Sequence, residues 1–221
     1  ISEFELSADK YEANKHYFLN YYHRNNYDYA MKSLPMVNSG VQITRIEVWV
    51  TNRTNDYTDT RNIIAFTDLG ENANIEFASN YGSSVADDLP RNNANGLYDY
   101  VTANPNVRGF VNASSALSSG TYPMQQAVHY EKLENARMLL PTEYTYNAQL
   151  GFISLNQSLN NDEVLSVAYQ YTHQGNTYQV GEFSTDGITG TNALYLKLLK
   201  STVTSPVRKL WDLMMKNVYS I

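Results

Sequence analysis

The chain has no cysteine. A disulfide framework, a thiol nucleophile and any Cys-ligated metal are therefore excluded. Charge is also scarce: Asp, Glu, Lys and Arg make up only 17% of 221 residues, with a net charge of −6. The sixteen Lys and Arg are scattered, with no cluster beyond Arg208-Lys209. The basic face that nucleic acid demands is missing, so no nucleic-acid partner is expected. No apolar run approaches the roughly 18–20 residues of a membrane helix. Residues 1–6 have neither the basic start nor the apolar run of an export signal. Gly-x-Ser-x-Gly and P-loop patterns do not occur, which leaves a serine hydrolase or NTPase unsupported.

What the chain does have is apolar residues at 43%, with Asn, Ser, Thr, Gln and 19 tyrosines supplying its polar surface. That is enough for a sizeable core, in one large domain or two small ones. Low charge with abundant Asn, Thr and Tyr leans towards cell-surface and outer-membrane β proteins. Both ends break off in strand-like residues, 4–6 and 218–221, so the sequence reads as a piece of a longer protein.

Helical signals come first. Asp9 and Glu12 have capping-box spacing, and Ala13, Tyr17 and Tyr21 share a helical face. Asn25-Asn26 interrupts this helix, and a second one with Tyr27, Ala30, Met31 and Leu34 ends at Pro35. Residues 41–51 form the clearest strand of the first half, with Ile46, Val48 and Val50 opposite Glu47, Trp49 and Thr51. Residues 62–68 supply another short strand. From 71 to 120 the pattern weakens, predicting long loops and one short helix over 94–101 that stops before Pro105.

Beyond Val128 the β pattern returns, with strands over 144–147 and 150–155 and a half-buried strand over 163–172. His173-Gln-Gly-Asn176 is a hairpin turn to a strand over 177–183, and Leu194, Leu196 and Leu198 alternate in another. Ser205-Pro206 opens a late helix with Val207, Leu210, Trp211 and Met214 on one stripe, which puts Trp211 in the core. The fold expected is α+β: an antiparallel β-sandwich-like sheet with an N-terminal helical pair and a late C-terminal helix. It forms a single domain over 1–221, in which 1–127 holds helices, first strands and long loops, and 128–221 is the β-rich part.

Chemistry-bearing residues are few. His16 and His23 are seven apart, whereas metal pairs on helices favour i, i+4 with a third ligand. With His129 and His173 they read as ordinary imidazoles. Asp87-Asp88 and Asp186-Gly187 are the loop carboxylates, and they lack the spaced oxygen ligands of an EF-hand. No catalytic residue, cofactor or metal site is expected. Tyrosine buries a ring and keeps a wet tip, so Tyr17, Tyr21, Tyr22 and Trp49 are the candidate interaction surface.

Six blocks carry a resemblance. They are residues 43–53 (ITRIEVWVTNR), 61–71 (RNIIAFTDLGE), 130–137 (YEKLENAR), 164–169 (VLSVAY), 178–183 (YQVGEF) and 210–219 (LWDLMMKNVY). Together they resemble the SprA/Sov family, thinning between 71 and 128, with the last block the most specific. The resemblance implies an extramembrane segment of a giant outer-membrane β-barrel, the type 9 secretion translocon of Bacteroidetes, linked to gliding motility. Its implied partners are other secretion-system proteins, exported cargo proteins and the remainder of its own chain as the barrel. The location implied is the cell outer membrane, with the periplasmic and cell-surface sides both open. Short strands interleaved with helices differ from barrel-wall strands, which recur as about 10-residue alternating segments. That difference places the segment in water, beside or across the pore, and the resemblance together with the lack of a catalytic constellation makes the expected function non-catalytic and structural. The alternative is a cell-surface binding module such as a carbohydrate-binding β-sandwich.

Overall fold

The computed structural model describes residues 5, 7–73, 75–77 and 85–220. Val41–Val50 (β2) is rich in β-branched residues and pairs antiparallel with Leu165–His173 (β7) along nearly its whole length. Strand β7 continues to Leu194–Lys200 (β9), β9 to Arg61–Phe66 (β3), and β3 to Tyr130–Met138 (β4). At Trp49↔Met138 and Val50↔Arg137, β4 returns to β2. Five strands thus close on themselves. The result is a small barrel where a sandwich-like sheet was expected, and one of its pairings, β3 with β9, is parallel. Asn176–Val180 (β8) extends the sheet from β7. Bulges at Thr44, Asn62 and Leu199 turn the corners that closure requires.

A second, three-stranded antiparallel sheet joins Tyr144–Asn147 (β5), Phe152–Leu155 (β6) and His16–Phe18 (β1). Strand β1 overturns the first predicted helix. Its helical spacing loses to tertiary pairing, with His16, Tyr17 and Phe18 in register with Ser154, Ile153 and Phe152. One helix, Tyr21–Ala30 (α1), replaces the expected pair. It runs through Asn25-Asn26 because the Asn26 side chain folds back to donate to the Tyr22 carbonyl at 2.8 Å.

The stretch expected to be loops with one short helix carries three, Leu97–Thr102 (α2) close to the expected one, and Pro105–Arg108 (α3) and Ala113–Ser119 (α4) in addition. Helix α2 ends before Pro105, as expected, and Pro105 itself opens α3 at its first turn, capped by the Asn104 side chain. Each helix is too short to be stable alone, so packing decides. Leu97, Val101, Val107, Ala113 and Leu117 form a second core with Ile64, Phe66 and Tyr195. The alternate residues Ile63, Ala65, Leu194, Leu196 and Leu198 belong to the first core. Strands β3 and β9 are therefore covered on both faces, and β9 is buried throughout. Strand β7 is buried over most of its length, more than the half expected.

The late helix reduces to a 3-10 turn, Lys209–Leu213. Leu210 and Leu213 are buried, but Val207 is 90% exposed and Trp211 only partly buried, with the Lys216 ammonium 3.8 Å above its ring. The chain then runs back along the N-terminal segment, with bridges Tyr17↔Met214 and Tyr11↔Tyr219. Phe4 and Leu6 lie outside the described residues.

Candidate functional site

Few charges are available, and several of them are inside. Lys197 is 0% exposed, and its Nζ lies 2.9 Å from the Glu71 carboxylate and donates to the Thr67 carbonyl. Asn20, at the start of α1, donates to Glu71 at 2.8 Å, and the Tyr21 N–H donates there too. Tyr169 of β7 donates its hydroxyl to Asn20 Oδ1, and that hydroxyl lies 3.4 Å from His23 Nε2. Burial holds the Glu71 carboxyl above the usual carboxylate range, and Lys197 with the hydrogen bonds from Tyr21 and Asn20 offsets only part of that. This chain of groups fastens α1 to the barrel.

Other buried carboxylates do the same for loops. Asp68 accepts from the N–H groups of Ile75, Glu76 and Phe77 at 3.0–3.2 Å. Glu131 accepts from Ser201 and Thr202, and Glu47 from Arg45 and Ser184. Glu182 takes a two-pronged contact from Arg108, at 2.6 and 2.7 Å, and a hydrogen bond from Tyr98. Lys200 donates to three carbonyls, Asn161, Glu163 and Ser201.

The histidines lie apart. His16 bonds Glu12 and Ser154 at 2.7 Å each. His23 is buried against Gly151, whose φ of +68° and missing Cβ make room for the ring. Its burial without a countercharge lowers its pKa to about 3. His129 accepts from the Gln125 N–H and meets Phe77 edge-on, and burial lowers its pKa. His173 closes the β7–β8 hairpin. Among the described residues no group of three or more His, Asp or Glu side chains is placed to hold a metal ion. Asp87 is committed to the Leu89 N–H and Arg91, and Asp186 to the Phe183 N–H and Gln179.

The four residues singled out as an interaction surface divide. Trp49 is 0% and Tyr17 1% exposed, so both are core and present nothing to a partner. Trp49 faces away from Val48 and Val50 along the strand, yet lies inside because β2 is packed on both sides. Tyr21 and Tyr22 are half-buried on α1, and the Tyr21 hydroxyl donates to the Lys209 carbonyl and lies 3.1 Å from the Asp212 carboxylate. Large apolar side chains are instead exposed at Tyr29, Leu34 and Met36, at and after the end of α1. A polar cleft of about 280 Å³ lies between Arg53, Arg137, Glu143 and Asn156, and an open groove of about 450 Å³ runs beside β8.

These features define a non-uniform β-barrel scaffold whose interior charges hold loops and helices in place. A family model described as motility related/secretion protein, the SprA N-terminal family, matches residues 1–175. The chain belongs to that family. The match holds four of the six resembling blocks; residues 178–183 and 210–219 lie beyond it. Comparison with curated proteins gives no match.

Proposed function

We propose that this chain is a non-catalytic structural and interaction domain of an outer-membrane protein-export channel, of the type 9 secretion and gliding-motility kind. It works in water beside or across the pore, with secretion-system proteins, exported cargo and the rest of its own chain as partners. Membership in a motility and secretion family supports this reading. The observation that carries it is the use of the buried polar groups: Glu71, Asp68, Glu131 and Glu182 each accept hydrogen bonds from main-chain or structural side-chain donors. Groups so engaged hold loops and helices in place.

The carbohydrate-binding alternative relies on exposed Tyr and Trp rings; Trp49 is interior and does not supply one, whereas Tyr29 and Tyr57 are exposed. Deleting residues 1–221 in frame from the parent protein is expected to stop cargo export and motility while the remaining barrel still reaches the outer membrane. Unchanged secretion, or substrate turnover by the purified chain, overturns the proposal.

A further inference from the structure

Among the described residues β8 pairs with β7 on one side and with no strand on the other. The turn Gln174-Gly175 has φ of 49° and 81°, the two-residue turn in which both central residues are left-handed. Its closing pair, His173↔Asn176, exchanges both main-chain bonds, so the pattern along β8 follows. Asn176, Tyr178 and Val180 bond inward to β7, while the N–H and C=O groups of Thr177, Gln179 and Gly181 point away from it.

Gly181 provides an independent check. Its N–H donates to Asn92 Oδ1 at 2.7 Å, and its carbonyl accepts from Asn92 Nδ2 at 3.2 Å. A single side-chain amide thus makes both bonds that a neighbouring strand would make. Thr177 and Gln179 have no such partner for their main-chain groups among the described residues. Thr177 is exposed and Gln179 partly buried, and the open groove of about 450 Å³ lies alongside, walled by Arg91, Asn93, Tyr98 and Asp99. Arg91 is itself tied to Asp87 and packs over the Tyr178 ring at 5.3 Å. Arg91 is thus engaged, and the exposed carboxylate of Asp99 is the other charged group on the groove wall.

We propose that the β8 edge is a docking site for an extended segment of another polypeptide, which adds as a strand at Thr177 and Gln179 with Asn92 marking the end of the register. The outward groups repeat about every 6.8 Å, two residues of a strand, and an extended peptide presents paired donors and acceptors at that same interval. Recognition runs through the main chain, so it tolerates varied side chains. This inference does not depend on the secretion reading.

The test uses the 221-residue chain and a soluble probe, acetyl-Lys-(Thr-Val)3-Lys-amide. Binding is expected to shift the Thr177 and Gln179 amide resonances and to slow their hydrogen exchange tenfold or more. A probe N-methylated at every second residue, on the face that meets β8, is expected to lose this effect. Thr177→Pro, which removes one outward donor and no inward one, is expected to weaken binding at least tenfold. Equal binding by the N-methylated probe overturns the proposal without relying on any variant's folding. So does protection of these amides before the probe is added: if lost on dilution it assigns the edge to a second copy, and if independent of concentration it assigns the edge to this chain.

Discussion

Trp49 shows how a residue's meaning depends on its surroundings. Its strand alternates, which puts the indole opposite the apolar face, and that position alone fits a sandwiched ring as well as a presented one. Closure of the barrel and the packing around it put the ring inside, with no hydrogen-bond partner for Nε1 among the described residues. Trp49→Ala is expected to cost about 3–5 kcal/mol of stability, read by urea unfolding. Trp49→Phe is expected to cost less, because it removes an unpaired N–H along with the lost area.

His23 makes a second case. Its pKa falls from the usual 6.5 to about 3 on folding, so between those values the unfolded chain binds a proton that the folded chain does not. Stability attributable to His23 is therefore full above pH 6.5 and declines as pH falls towards 3, by up to about 1.4 kcal/mol per pH unit. The difference in unfolding free energy between wild type and His23→Gln, measured at pH 7 and pH 5, is expected to narrow at the lower pH.

At the scale of elements, the helices α2–α4 owe their existence to what lies beneath them. Their few residues carry weak periodicity, and only the apolar outer faces of β3 and β9 make burying Leu97, Val101, Val107 and Leu117 worthwhile. Arg108 links this layer to the sheet through Glu182, the Ala193 carbonyl and the Tyr195 ring at 3.7 Å. Arg108→Ala leaves Glu182 buried and short of its partner, at a cost of about 3–5 kcal/mol. Hydrogen exchange is expected to accelerate over 97–119 first, while β2 and β7 stay protected. Uniform acceleration would show that the helices are not a separable layer.

Over the whole molecule, the barrel order β2-β4-β3-β9-β7 crosses the chain repeatedly, so residues 1–127 and 128–221 supply strands to one closed sheet. Strand β9 is the keystone between β3 and β7, yet it lies past residue 175, where the family match ends. A chain cut at 175 loses both β8 and β9 and exposes the faces of Ile63 and Val167. It is expected to show no cooperative thermal transition by circular dichroism, whereas the full chain melts in one step.

Local pattern was sufficient for the strands at 41–50, 61–66, 165–173 and 194–200 and for a hairpin turn at 174–175. In each of these, side-chain periodicity or a turn residue with special backbone freedom acts over a few neighbours. Only the tertiary structure decided that residues 16–18 pair as a strand, that the sheet closes with one parallel seam, that Lys197 and Glu71 meet inside, and that Trp49 is hidden. Those outcomes depend on which distant surface reaches a segment first with complementary hydrogen bonds and apolar area, and no short stretch of sequence contains its partner.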